Sequence, residues 1–341
     1  LEWFRDNQRT LPWRSDPTPY HVWVSEIMLQ QTRVAAVLGY YRRFMEALPT
    51  VADLAQVEED QLLKLWQGLG YYNRARNLQK AARQIMEQFG GQFPRSYPDL
   101  LSLAGVGDYT AGAIASIAFG LPEPAVDGNV LRVVTRITGD PSDISQAATK
   151  KVIRAALAEV IPLQAPGDFN QALMELGALV CLPNGAPDCA HCPAHGFCAA
   201  HLTGKTAQIP VKGAKKPRKI EERTVYLLFH CGQVALRRRP AKGLLAGLWE
   251  FPNEVVGSAE SAGWGLDLPQ AEVCGAGRHI FTHREWHMTG KQLFLTNETL
   301  PEGWVWADEK AFCETYAVPN AFSAFLPAVE AYFAQWRGGL S

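Results

Sequence analysis

The stretch Leu103-Ala-Gly-Val-Gly-Asp-Tyr-Thr-Ala-Gly-Ala-Ile114 decides how the N-terminal part of this chain folds. A helix is expected to end near Leu103, a hairpin to turn at Gly105 and Gly107, and a second helix to open near Tyr109. Glycine lets the backbone approach a neighbour closely, and the free N–H groups at the start of the second helix suit an anion such as phosphate. A plain interhelical turn would use the same glycines. The surrounding LxGVGxYTAxAI pattern favours the phosphate-binding helix–hairpin–helix.

Outward from that hairpin, residues 1–204 read as mostly helical. Apolar residues recur at three- and four-residue steps from Tyr20 to Ala47, with Pro17 and Pro19 before and Pro49 after, which predicts one helix there. The same period runs through 57–65, 73–89, 99–103, 109–119, 130–137, 147–160 and 169–179, with Pro and Gly in the gaps. The composition changes at Lys205. Residues 205–223 hold seven basic and two acidic side chains, include Lys215, Lys216 and two prolines, and offer little to bury, so they read as a linker. A solvated connection and a nucleic-acid contact both explain such a run. Beyond it, 224–229 and 234–239 read as a hairpin turning at Cys231–Gly232; 280–281 and 292–295 read as further strands and 322–336 as a closing helix. The expected architecture is multidomain: an all-α domain over 1–204, a basic linker over 205–223 and an α+β domain over 224–341.

The 341 residues exceed what one core usually organises. Lysine plus arginine (33) balance aspartate plus glutamate (34), which excludes a uniformly basic nucleic-acid binder. The longest small-and-apolar run, Ala111 to Leu121, is too short to cross a bilayer. The chain opens at Leu1 with no signal peptide and no methionine, so a few native residues are expected ahead of it. Four of seven cysteines crowd into 181–198, an arrangement that points to a metal site in a reducing cytoplasm and not to a disulfide framework. Cys231, Cys274 and Cys313 stand apart and read as buried or incidental.

The cysteine group runs Cys181-x7-Cys189-x2-Cys192-x5-Cys198. Four thiolates at this spacing can hold an iron–sulfur cluster, or zinc with help from His191, His195 and His201; spacing does not choose between them. Two acids occupy unusual surroundings. Glu26 lies among Val22, Trp23, Ile27 and Met28, where burial would keep it protonated as a general acid; a surface-facing helical carboxylate is the alternative. Asp127 precedes a helix, where it is either an N-cap or the ionised partner that glycosidic cleavage needs. The turn Trp66–Asn77, with Gly68, Gly70, Tyr71 and alternating arginines, suits either ring insertion into stacked bases or a packed aromatic turn.

Together these residues resemble the MutY-type adenine DNA glycosylases of the helix–hairpin–helix superfamily. The resemblance rests on LPWR (11–14), VSEIMLQQTRV (24–34), GLGYYNRARNL (68–78), the hairpin, AVDGNV (125–130), the four cysteines and GLWEFP (247–252). It implies a six-helix barrel and a [4Fe-4S] module, held by Cys181, Cys189, Cys192 and Cys198, in one catalytic domain, followed by a Nudix-like domain. It also implies a monovalent cation at the hairpin formed by Gly105 and Gly107. The implied reaction removes adenine mispaired with 8-oxoguanine or guanine in double-stranded DNA, by flipping it out of the stack. By the same resemblance Glu26 protonates the base and Asp127 stabilises the sugar cation or attacks it, with Tyr109 and Asn129 supporting the pair. Arg14 would help hold the adenine pocket, and Leu29, Gln31 and Thr32 would line the gap. Tyr71 would wedge beside 8-oxoguanine, and Phe281, Thr282 and His283 would read it. A monomer associated with a bacterial nucleoid is expected.

Tyr109 occupies the position where strand-cutting relatives carry a Schiff-base lysine, which implies base removal without efficient strand cleavage. Two departures stand out. The first cysteine gap has seven residues where the family usually has six, and Phe281-Thr-His283 replaces the usual Phe-Ser-His. Arg284-Glu-Trp286 lacks the further acids of a magnesium-binding Nudix helix, which makes the C-terminal domain a reader and not a second enzyme. A bifunctional endonuclease III-type glycosylase and a non-enzymatic lesion-binding or redox-sensing protein are the competing classes.

Overall fold

A computed structural model describes residues 1–214, 217–266, 268–296 and 299–339. Lys215 and Lys216 of the expected linker lie outside the described residues. By internal contact the chain divides into two units, residues 1–56 with 76–215 and residues 57–75 with 216–341.

The first unit is helical. Its central helix, Pro19–Leu29, starts where Thr18 caps the His21 N–H and Pro19 occupies the first turn. Tyr20, Val22, Trp23, Val24, Ser25, Glu26, Ile27 and Met28 are all buried, so this helix is enclosed on every side and is not an amphipathic surface helix. The single helix expected over Tyr20–Ala47 is in fact two, Pro19–Leu29 and Val34–Ala47. The break falls at residues 30–33, where Gln31 adopts φ 57°. No proline or glycine marks it, so the periodicity ran through.

The hairpin forms between the helices Tyr97–Ser102 and Asp108–Ala113, and the second continues as a π-helical turn over Ile114–Ala118. Gly105 requires its glycine: φ is +74°, and a Cβ there would sit 2.6 Å from Asn77 Cβ. Gly107 has an ordinary φ and open space around it, leaving the first turn of the helix uncovered. The helices Gly128–Thr138, Ala147–Ala158 and Pro166–Leu179 pack through Val130, Leu131, Ile153 and Leu157 on one side and Val133, Leu176 and Val180 on the other.

The second unit holds a seven-stranded sheet: β1 (Lys219–His230), β2 (Gln233–Arg238), β3 (Trp249–Glu250), β4 (Asn253–Val255), β5 (Glu272–Ile280), β6 (Arg284–Phe294) and β7 (Trp304–Ala307). The order is β3-β2-β1-β6-β5, with β4 against β1 and β7 against β2. β1 and β2 form the expected hairpin, pairing Phe229 with Val234 across Cys231–Gly232. β1 runs parallel to β6 from Lys219↔Arg284 to Phe229↔Phe294. Val225, Leu227, Phe229, Trp286 and Met288 point to one face, where Phe322, Phe325, Val329 and Phe333 cover them. The closing helix Leu326–Gly339 is preceded by a 3₁₀ turn over Asn320–Phe325.

Both ends of the expected linker are ordered, a correction to its reading as a segment with little to bury. Ile209 is buried, Val211 bridges Asp143 in parallel fashion, and the Gly213 N–H donates to Asp143 Oδ1. At the other end β1 starts at Lys219 and already buries Glu221 and Arg223. Segment 57–75, which periodicity assigns to the helical half, is counted with the C-terminal unit. There Lys64 Nζ donates to the Phe312 and Tyr316 carbonyls (3.1 and 2.9 Å), and Gln67 donates to the Val318 carbonyl (2.7 Å). Arg284 and Glu285 open a strand, not a helix. Of the three cysteines read as buried or incidental, Cys231 and Cys313 are exposed and Cys274 is partly buried, so burial is not the alternative that holds for the first two. Among the described residues no helix is long and apolar enough to cross a membrane.

Candidate active site

Glu26 is where burial alters a carboxyl most visibly. Its carboxyl sits inside the enclosed Pro19–Leu29 helix at 6% exposure, which settles the choice against a surface-facing carboxylate. Burial pushes its pKa up to about 7. The Tyr109 hydroxyl, which donates to Glu26 Oε2, pulls it down; Asp127 pushes it up, and Arg14 pulls it down. Tyr109 itself is held well above its ordinary value by burial and by the neighbouring Glu26 and Asp127. A phenol so placed stays protonated and serves as a donor. Met174 Sδ lies 3.9 Å from the same hydroxyl.

Asp127 takes the N-cap position its sequence allowed. It caps the Gly128–Thr138 helix, with Oδ1 accepting from the Val130 N–H at 2.7 Å. Oδ2 accepts from Asn129 Nδ2 at 2.8 Å. Burial raises its pKa, and these hydrogen bonds together with Arg132 oppose the rise. Arg132 in turn donates to Asn129 Oδ1 (2.8 Å), the Gly177 carbonyl (2.7 Å) and the Cys181 carbonyl (2.8 Å). Asn129 is therefore fixed from both ends, and with it the direction of the Asp127 carboxylate.

Glu26, Tyr109, Asp127 and Asn129 line one cleft of about 1940 Å³, which also receives Arg14, Leu29, Gln31, Thr32, Gly105 and Gly107. Small-molecule pockets span roughly 300–1,000 Å³, so this cleft suits a larger ligand. Arg14 does not stand free in it. Arg14 and Arg9 both pair with Glu175, through contacts of 2.9 and 2.7 Å to Oε2. Burial would raise the Glu175 pKa, but the two guanidiniums overcome it and hold the carboxylate down at about 2. Glu175 was not singled out from sequence, although it sits between Met174 and Leu176 much as Glu26 sits between Ser25 and Ile27. Arg33, Lys150, Lys151 and Lys212 also line the cleft, and none has a carboxylate partner among the described residues. The helical period alone gave no reason to single these cations out.

The four cysteines line one small cavity with Arg136, His195 and His201. The loop 182–188 folds back on Val180, whose carbonyl accepts from the Leu182 and Asp188 N–H groups, each at 3.0 Å, and this absorbs the longer first gap. Burial and the facing thiols raise the pKa of Cys189 and Cys192. Arg136 donates to Cys181 Sγ at 3.2 Å. His191 is engaged by Asp188 instead. Among the described residues no three His, Cys, Asp or Glu side chains converge as a single ion requires. Zinc needs its donors about 2.0–2.3 Å from one point. Four thiols lining one cavity are a donor set that fits an iron–sulfur cluster.

In the C-terminal unit Tyr71 stands at φ 47° and 49% exposed, on a turn that also carries Gly68 (φ 106°) and Gly70 (φ 69°). Trp66 Nε1 donates to the Gly70 carbonyl, and the Arg74 guanidinium lies over the Trp66 and Tyr71 rings at 5.2 and 5.7 Å. The packed turn is thus what thrusts the ring outward. The Tyr71 hydroxyl lies 3.0 Å from Thr282 Oγ1. Thr282 occupies the turn between β5 and β6 with Phe281, whose ring meets Trp286 at 4.8 Å, and His283.

A buried acid, a helix-capping carboxylate and a glycine hairpin thus line one cleft. The family described as HhH-GPD superfamily base excision DNA repair protein matches residues 24–162, and the NUDIX domain family matches residues 224–328. A curated relative, the adenine DNA glycosylase of Mus musculus, is 36% identical over 92% of this chain and 74% of its own length. Among solved structures, a thermostable thymine-DNA glycosylase superposes with TM-score 0.55 at 28% identity, covering 59% of this chain and 93% of that one. An endonuclease III–DNA complex superposes with TM-score 0.51 at 27% identity, covering 60% and 92%. The chain belongs to the adenine DNA glycosylase family.

Proposed function

We propose that this protein removes adenine from 8-oxoguanine:adenine and guanine:adenine mispairs in duplex DNA by hydrolysing the N-glycosidic bond. The observation that carries this reading is the buried Glu26, brought close to neutral titration and paired with Asp127 in one cleft. The protonated Glu26 gives its proton to N7 of the flipped adenine as the bond from C1′ to N9 breaks. The bonding electrons leave with the base, and positive charge develops on the sugar. Asp127, aimed by Val130 and Asn129, stabilises that charge directly or as a transient covalent partner. Water supplies the hydroxyl at C1′ and its remaining proton returns to the carboxylate pair, leaving an abasic site. Tyr109 offers no amine for a Schiff base with the sugar, so the strand is not cut efficiently.

In the same reading Arg14 borders the adenine pocket while locked to Glu175, and Leu29, Gln31 and Thr32 fill the gap left by flipping. The broken helix at residues 30–33 supports this, because it turns those side chains into the cleft. The N–H groups after Gly105 and Gly107 face a DNA phosphate, with a monovalent cation at the hairpin. Tyr71 wedges beside 8-oxoguanine, and Phe281, Thr282 and His283 read it. Cys181, Cys189, Cys192 and Cys198 would hold a [4Fe-4S] cluster, which supplies structural cross-linking of the 181–198 loop. The residue ranges 1–204, 205–223 and 224–341 remain our functional division into catalyst, connector and reader.

Single-turnover base removal tests the reading, on duplexes with adenine opposite 8-oxoguanine, guanine or cytosine, developed with and without alkali. Cleavage only after alkali, fastest opposite 8-oxoguanine, is expected. Strand scission without alkali, with a borohydride-trapped adduct in high yield, would favour the bifunctional class. No adenine release from any duplex would favour a lesion-binding protein.

A further inference from the structure

The basic stretch after Lys205 was open to two readings, a solvated connection or a nucleic-acid contact, and one of its arginines does something else. Arg218 Nε donates to the Phe281 carbonyl at 3.0 Å. The next residue, Lys219, donates its backbone N–H to the His283 carbonyl at 3.1 Å. The two carbonyls that flank Thr282 are therefore both claimed by the last residues of the connector, as these enter the sheet parallel to β6 at Lys219↔Arg284. The remaining restraints on the turn are the Tyr71 hydroxyl, 3.0 Å from Thr282 Oγ1, its own Phe281 N–H to Arg284 carbonyl bond (2.8 Å), and the Phe281 ring against His279 and Trp286. Trp286 is held from below: Nε1 donates to Glu221 Oε2 at 3.0 Å and Arg223 lies 4.5 Å from the ring centroid. Of these supports only Arg218 is an exposed side chain reaching the loop by a single hydrogen bond, with no other partner among the described residues.

We infer that Arg218 is a positioning residue for 8-oxoguanine discrimination, fixing the Phe281–His283 loop so that the Thr282 hydroxyl keeps one direction. This inference rests on the proposed role of that loop. Arg218 touches neither the cleft residues nor the reacting atoms, so its loss should change which partner base is preferred and leave the chemical step alone.

The test compares Arg218→Met, which keeps the stem and removes the donor, with Arg218→Lys, which keeps a donor, and with Thr282→Ala. Each full-length protein is assayed for single-turnover adenine release opposite 8-oxoguanine and opposite guanine. Arg218→Met is expected to lower the ratio of the two rates by about three- to tenfold, the range one hydrogen bond spans. Its rate opposite guanine and its thermal midpoint should stay at the parental values, and Arg218→Lys should retain most of the ratio. Adding Arg218→Met to Thr282→Ala should produce no further fall. A parental ratio in Arg218→Met, with a lowered one in Thr282→Ala, overturns the inference alone. A parental ratio in Thr282→Ala shows that the loop reading itself is wrong. An equal fall of both rates in Arg218→Met would make Arg218 a general DNA contact, which also overturns the inference.

Discussion

At the scale of single residues, Glu26 was visible as an acid inside an apolar run, and Asp127 as an acid at a helix start. Glu26 interrupts an apolar run, and a carboxyl there must remain protonated or find a cation. The structure answers with a pKa near 7, so adenine release is expected to fall as pH rises through about 7, read from single-turnover rates across pH. The stability sign follows. A carboxyl raised in the folded state binds more protons than in the unfolded one, so stability declines between the ordinary carboxylate range and about pH 7. Glu26→Gln should lessen that decline, leaving the share of Asp127, and lower the excision rate by about 10²–10⁴-fold. Asp127→Asn separates capping from catalysis. Asparagine keeps the cap through its one amide oxygen but loses the bond from Asn129 Nδ2, so the folding free energy should fall by only about 1 kcal/mol while excision is lost. A large loss of stability with retained activity would leave Asp127 only a cap. Glu175 went unread despite a similar local pattern, because nothing near it in sequence announces Arg9 and Arg14, more than 160 residues away for each hydrogen bond.

At the scale of elements, the helical half was legible from its period, its prolines and its hairpin glycines. The break at residues 30–33 was not, since Gln31 takes a left-handed backbone without glycine, a conformation that tertiary contacts must impose. In the C-terminal unit β5 and β6 were only partly seen: Gly275, Gly277 and Gly290 dilute the β-branched signal there. Two of them have a packing reason, for a Cβ at Gly290 would lie 2.5 Å from the Phe325 ring and one at Gly277 2.7 Å from Ala324, whereas Gly275 has open space around it. The hairpin glycines differ from each other in a measurable way. Gly105→Ala must hold a left-handed backbone and meet Asn77, so it should cost about 1–3 kcal/mol in chemical denaturation. Gly107→Ala should fold nearly as well as the parent and lose DNA affinity, if its role is to leave the first turn open. Equal destabilisation by both would contradict that distinction.

At the scale of the whole molecule, the neutral balance of charge argues against a uniformly basic sheath, and the cleft collects cations locally. Arg33, Lys150, Lys151 and Lys212 offer about four phosphate contacts, so log affinity against log salt should fall with a slope of about −4. A slope beyond about −8 would require a basic surface elsewhere. The partition of the chain was the least legible feature of all. Lys64 meets the carbonyls of Phe312 and Tyr316 across 248 and 252 residues, and no local pattern encodes such a meeting. The second unit is consequently not a bead on a string, because the chain visits it twice. A break near residue 215 would cut the polypeptide once yet leave Lys64 and Gln67 behind in the wrong fragment, their amine and amide deprived of the carbonyls they serve. Shuffling the C-terminal half between relatives would carry the same debt. A graft would have to bring residues 57–75 with it, or supply a host whose own residues there had already learned to fit.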